Sequence, residues 1–377
     1  MTMYLIAAFS NVMSTVGYIL LAILCLMFMV VVHELGHYTA GKLLGFKINE
    51  FGIGFGPVIF KRTSKKSGEV FSIRLLPLGG FCMFEGEEDE EDEDGKESGD
   101  PRAFNRLAPW KRLVVLFSGA FSNFLSSIIL ISLVFTFYGQ ILPIIHYIAP
   151  ESSIYQEGAL MEGDAILRVN GSIVNILTQD DIDKQLSKLK DDSGTLTVLR
   201  NGKTIKTQIS RSTIYERDEN NEITYDDDGI VKTKFAYGFS VGVTNVKLNF
   251  FKSLGRAFIY SIFVVYKILW LLGQLIMGKL SFAASAGGPV TVIKAMSEAG
   301  RSGLGSLMFA VCLISANLAV MNLLPLPALD GSKMVFTTIE WIRGKPINRK
   351  VENIIHAGGF VLLFVLAISA DVIQFLS

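Results

Sequence analysis

The sequence predicts an α-helical polytopic membrane protein with about four transmembrane helices, a small membrane-associated β-sheet and an inserted α+β domain of soluble texture. Three observations carry that prediction. Half of the 377 residues are hydrophobic. Charge-free runs long enough to cross a hydrocarbon core of about 30 Å, which takes roughly 20 helical residues, recur along the chain. Between two of these runs, short apolar segments alternate with Gly, Asn and Asp turns, the texture of a small domain. Lys plus Arg equals Asp plus Glu at 35 each, so net charge gives no sign of a nucleic-acid partner.

The first run carries no charged residue from Met1 to Val32. It has no basic residues ahead of it and no small-residue cleavage site, so it reads as a retained helix rather than a signal peptide. At its end stands Val31-Val-His-Glu-Leu-Gly-His-Tyr38. Ionisable groups at membrane depth are costly to bury and mark function by default. His33 and His37 are four apart, so a helix presents both imidazoles on one face, close enough to share a metal ion, with Glu34 beside them. In this H-E-x-x-H arrangement two His bind Zn²⁺ and the Glu serves as general base.

The second run extends from Leu113 to Tyr138. The loop before it holds two segments, Phe51–Phe60 and Val70–Phe84, rich in β-branched and aromatic residues punctuated by Gly and Pro, which predict a small sheet. It also holds the run Glu85–Asp94, whose like charges predict a solvated linker. Basic residues keep short loops cytoplasmic. They crowd this loop (Lys61, Arg62, Lys65, Lys66, Arg74 and others) and the later loop at Arg343, Lys345, Arg349 and Lys350. Both are therefore expected inside, with the termini and the segment from about Gly139 to Arg301 outside.

Residues 143–212 carry Gly163-Asp-Ala-Ile-Leu-Arg-Val-Asn-Gly171, a helical stretch from Asp180 to Leu189 and an Asn201-Gly202 hairpin signal. This pattern resembles a single PDZ domain. Residues 213–300 follow as an extracytoplasmic loop, with Thr213–Phe235 expected to be irregular and Phe258–Met277, interrupted by Lys267 and Gln274, expected on the membrane surface. The C-terminal half of the core, 301–377, contains the run from Gly303 to Leu329 and a shorter one from Ala357 to Ala370.

A catalytic zinc takes three protein ligands and an open position. Asp330, at the end of the third run, is the preferred third ligand because the topology returns it to the side where His33 and His37 lie. His356, at the start of the last helix, is the competing choice. Asn322, Pro325 and Pro327 precede Asp330 in a stretch where proline breaks helix geometry. Their freed backbone groups, together with the Gly-rich strand at Gly52, Gly54 and Gly56, are candidate surfaces for binding an extended substrate. Cys25, Cys82 and Cys312 show no pairing pattern and read as free thiols.

Taken together, H-E-x-x-H in a first span, Asn322-x-x-Pro-x-Pro-x-Leu-Asp-Gly331 in a later one and a PDZ-like domain between them resemble the site-2 protease family of intramembrane zinc metalloproteases (peptidase family M50), in its bacterial RseP-like group. Gly54-Phe-Gly-Pro57, Pro77-Leu-Gly-Gly-Phe81, Gly287-Gly-Pro-Val290 and Ser118-Gly-Ala-Phe-Ser-Asn123 extend the resemblance. Ala120, where Pro is usual, Ser332 and the single PDZ-like unit depart from it. The resemblance implies a plasma-membrane endopeptidase that uses Zn²⁺ near the cytoplasmic face to cut transmembrane substrates in regulated intramembrane proteolysis. Anti-sigma factors and signal-peptide remnants are the implied substrates, with lipid as surroundings and no nucleic acid. The extracytoplasmic domain would bind a new C-terminus left by an earlier cut, or act as a size filter. A catalytically silent scaffold or a metal transporter are the rival readings; the intact His33, Glu34, His37 and Asp330 oppose the first, and the lack of internal repeats opposes the second.

Overall fold

The computed structural model describes residues 2–87, 100–218, 222–281 and 287–376. It comprises two compact units, one formed by residues 1–131 with 257–377 and the other by residues 132–256. The acidic run expected as a linker lies outside the described residues beyond Glu87.

In the first unit, α1 (Thr2–Leu44) contains the first apolar run. It does not stop at His37 but continues two turns further. It ends where Gly45 takes φ +83° and the Phe46 amide donates to the Gly41 carbonyl, a Schellman stop. β1 (Ile48–Thr63) and β2 (Val70–Phe84) then form the predicted sheet. Its register is irregular: Gly52 stands opposite both Phe81 and Ser72, so both edges of β1 are occupied there. The edge expected along the Phe51–Phe60 strand is thus closed at Gly52 and open from Val58 onward. Among the described residues the unpaired edges lie at Val58–Thr63 and at Gly80–Phe84.

Among the described residues, five helices are long and apolar enough to cross a membrane. They are α1, α2 (Pro109–Phe137), α5 (Phe250–Ile276), α7 (Leu304–Leu323) and α9 (Arg349–Leu376), numbered around the shorter helices given below. α5 joins the four expected spans by length and hydropathy alone, at the segment expected on the membrane surface. The shorter helices α6 (Pro289–Ser302) and α8 (Asp330–Arg343) flank α7. Ala22 and Met29 of α1 pack with Met296 of α6 and Leu307 and Val311 of α7. Between α2 and α7 runs a polar seam: Ser315 Oγ donates to the Asn123 carbonyl at 2.9 Å, and Ser127 Oγ to the Cys312 carbonyl at 3.1 Å. Small polar residues of this kind let apolar helices approach and hydrogen-bond where hydrophobicity cannot discriminate.

The second unit holds a sheet of order β10-β3-β4-β6-β7, with β5 paired to β4. Its strands are β3 (Gln140–Ile148), β4 (Ala165–Val169), β5 (Ser172–Ile173), β6 (Ser193–Arg200), β7 (Lys203–Ser210) and β10 (Phe239–Val246). Two helices, α3 (Ser153–Gln156) and α4 (Gln179–Leu186), complete it. Asn201 and Gly202 both have positive φ, as the predicted type I′ hairpin requires. Asp164 is buried and takes two hydrogen bonds from Arg200, at 2.8 and 2.6 Å, which accounts for its place in the Gly163–Gly171 stretch. Two expectations are corrected. β10 pairs with β3 although it lies beyond the boundary set at 212, and the tail expected to be irregular forms β8 (Ser212–Tyr215) paired with β9 (Thr233–Ala236). Both pairings are non-local, and local composition carries no signal for them. Cys25, Cys82 and Cys312 are free.

Candidate metal centre

The helical spacing of His33 and His37 turns both rings to one side of α1, against α2. His33 Nε2 lies 3.1 Å from His37 Nε2 and 2.9 Å from Asp330 Oδ2, and His37 Nε2 lies 3.3 Å from that same oxygen. These three residues are the one group of metal-capable side chains found among the described residues. Tetrahedral zinc, with bonds of about 2.0–2.2 Å, places neighbouring ligand atoms roughly 3.3–3.6 Å apart. The triangle seen here is that size, slightly contracted.

Donor chemistry supports the same reading. His37 Nδ1 lies 2.8 Å from the Val115 carbonyl, which can only accept, so the proton sits on Nδ1 and the Nε2 lone pair faces the triangle. The Asn123 amide approaches His33 Nδ1 at 3.5 Å and its oxygen has no partner. With that oxygen turned to the ring, it would accept from Nδ1–H and leave the second Nε2 lone pair free as well. Two lone pairs and a carboxylate oxygen then converge on one point, an arrangement that calls for a cation.

Glycine makes room for the rings. A Cβ at Gly119 of α2 would sit 2.4 Å from His37 Nε2 and 2.7 Å from His33 Cε1. One at Gly36 would sit 2.4 Å from the Ser118 carbonyl oxygen. The two helices thus meet through backbone at the level of the site.

Glu34 lines a cavity of about 470 Å³ together with His37, Asp330, Phe81 and Lys333. Across this cavity Lys333 Nζ pairs with Glu87 at 2.8 Å. Gly80 of β2 lies against Glu34, whose Cγ would be 3.5 Å from a Cβ on Gly80, so the unpaired Gly80–Phe84 edge begins beside the Glu34 side chain.

The other candidates separate. The Asn322 amide nitrogen lies 3.4 Å from both ring nitrogens of His33, so it borders the metal triangle. Pro325 and Pro327 lie in the turn between α7 and α8. Gly54 and Gly56 take φ of +85° and +84° in β1, and Gly52 packs on the Phe81 ring. His356 stands outside the triangle and accepts the Ala328 amide through Nδ1 at 3.1 Å. Sequence reasoning missed Gly119 and the contact of Asn123 with His33. The stretch of small residues in an apolar span, Ser118-Gly-Ala-Phe-Ser, was the available signal.

Comparison with known proteins agrees with this geometry. A family model described as Peptidase family M50 matches residues 21–366. A candidate zinc metalloprotease of Fusobacterium nucleatum is 32% identical over 360 residues, covering 93% of this chain and 97% of its own. One from Clostridium perfringens is 30% identical over 351 residues (92% and 95%), and one from Campylobacter jejuni is 32% identical over 352 residues (91% and 89%).

Proposed function

The chain belongs to peptidase family M50, and on that footing we propose that it is a zinc metalloprotease of the site-2 type, cutting peptide bonds within or beside transmembrane helices. One observation carries the reading: His33, His37 and Asp330 converge as a ligand set beside a cavity whose wall includes Glu34. Zinc bound there supplies a Lewis acid able to bring the pKa of water from about 15.7 towards about 7.

Glu34 takes a proton from the attacking water and delivers it to the departing amide nitrogen. His37 is oriented by Val115 and held close to α2 by the absence of a side chain at Gly119. A helical substrate hides its scissile carbonyl in i to i+4 hydrogen bonds, so it must be drawn out before attack. The unpaired Gly80–Phe84 edge beside Glu34 is suited to take an extended segment as an added strand. The backbone freed by Pro325 and Pro327 borders the same region, and the Asn322 amide is placed to steady the His33 ring.

The site also bears on topology. Asp330 follows the C-terminal end of α7, and His33 lies in the C-terminal half of α1, so two spanning helices that bring these residues together run in the same direction. Between them, α2 supplies one crossing, and any crossing by α5 would have to be reversed before α7. This supports a net extracytoplasmic course for residues 250–303, in agreement with the basic loops, and an active site near the cytoplasmic face of the plasma membrane. Residues 143–246 form, in this reading, an extracytoplasmic PDZ domain. Its helix α4 and the start of β10 bound a cavity of about 480 Å³ lined by Leu186, Leu189, Tyr237 and Phe239, which suits a peptide end. Its role is that of a filter on substrates with bulky outer domains, so cleavage follows an earlier external cut, as in regulated intramembrane proteolysis of anti-sigma factors or signal-peptide remnants.

The test is purified protein reconstituted with transmembrane peptides. Cleavage lost on chelation and restored by zinc is expected. Cleavage that survives complete removal of metal overturns the proposal.

A further inference from the structure

The loop that delivers Asp330 contains an unusual residue. Ala328 sits at φ +73°, a left-handed conformation that costs a residue with a Cβ and persists only where its surroundings hold it. Two side-by-side features of α9 hold it. The Ala328 amide donates to His356 Nδ1 at 3.1 Å, and Pro327 presses on Gly359, where a Cβ would come within 2.0 Å of the Pro327 Cβ. His356 and Gly359 are three residues apart, so they share one face of the helix.

The imidazole is itself prepared for this. Ser332 Oγ lies 3.4 Å from Nδ1 but gives its hydrogen to the Leu329 carbonyl at 2.8 Å, leaving the Nδ1 lone pair to Ala328. The Phe336 ring meets His356 edge-on at 5.6 Å and fixes its plane. Nε2 is buried without a hydrogen-bond partner, and the nearest carboxylate, Glu352, is 3.9 Å away. The ring's one directed contact therefore goes to the backbone two residues before Asp330.

We propose that His356 is a positioning residue for the metal site: with Gly359 it clamps the Pro-Ala-Leu turn so that Asp330 reaches His33 and His37. This deepens the metal reading above and rests on it. It also gives the fourth histidine of the chain a role in zinc binding without ligation.

Zinc affinity of the purified full-length chain, measured by competition with a chromogenic chelator, tests the clamp. Loss of an outer partner of a metal ligand costs about 10–100-fold in affinity, and H356A should lose that much. H356N, whose amide oxygen falls where Nδ1 does, should hold zinc as the wild type does. H356Q, whose oxygen falls where Nε2 does, should behave as H356A. Glycine takes φ +73° without strain, so A328G combined with H356A should recover most of the loss. Wild-type affinity in H356A, or equal behaviour of the Asn and Gln variants, overturns the clamp; should H356A fail to fold, the two amide variants decide alone. A wild-type protein that takes up no zinc overturns the metal reading itself, which separates the two failures.

Discussion

Replacing Gly119 with alanine should cost the protein its metal while leaving the fold largely in place. The added Cβ would lie 2.4 Å from His37 Nε2, 2.6 Å from His37 Cε1 and 2.7 Å from His33 Cε1, whereas ordinary contact begins at 3.4 Å. One ring or one helix must therefore withdraw by about 1 Å, and metal sites tolerate about 0.2 Å in ligand distance. Neither withdrawal is easy. The His37 ring is tied through Nδ1 to the Val115 carbonyl at 2.8 Å, and α1 and α2 are already in backbone contact at Gly36. A misplacement of about 1 Å costs a reacting geometry roughly 100-fold, and zinc affinity should fall by at least that factor. Zinc per chain by atomic absorption and chelator competition measure it, with G273A as control, because a Cβ at Gly273 meets nothing within 4 Å. If G119A retains one zinc with wild-type affinity, the reasoning from ring clearance is wrong.

Glu34→Gln should retain zinc and lower peptide cleavage by roughly 10²–10⁴-fold, the scale of a general base; undiminished turnover would remove Glu34 from that role. Asp330→Ala should lose zinc, as metal analysis will show. Arg112, 5% exposed, pairs with Glu340 at 2.8 Å, and breaking a buried pair costs about 3–5 kcal/mol, so R112M should lower the thermal midpoint in detergent markedly, and an unchanged midpoint would show the pair to be dispensable. In a cysteine-free background, K66C should label only from the cytoplasm and D227C from outside; the reverse pattern would invert the topology. Deleting the outer domain should admit substrates with intact outer domains, and the excision must take β10 together with β3, since β10 would otherwise lose its partner; a deletion variant that still needs the earlier external cut would overturn the filter.

The metal site was legible to different depths. His33, Glu34 and His37 declare themselves because one helix sets their spacing, and periodicity within a single element survives in the sequence. Asp330 could be chosen over His356 only through topology and resemblance, since a separation of 297 positions from His33 erases any local signal. What stayed hidden was contact between elements: Gly119 under the rings, Asn123 and Asn322 at His33, β10 beside β3. The two-sided pairing of Gly52 belongs here too. Its segment reads correctly as a strand, but which edge stays open depends on how β2 bends around it, and composition does not encode that.

The division of labour among the ligands follows from where their freedom lies. The two imidazoles lie on one rigid helix, oriented by a carbonyl and an amide from α2, so little entropy remains to be lost when they meet a cation. Asp330 is different. It opens α8 immediately after a turn with a left-handed alanine and two prolines, and its position depends on how that turn is held. Substitutions that loosen the turn should therefore weaken metal binding even where they touch no ligand, whereas equally buried changes along the Ser315–Asn123 seam, which also borders His33, should loosen helix packing and metal binding together. Loss of metal without loss of the helical fold is thus the signature of damage at the turn, and loss of both together the signature of damage at the seam.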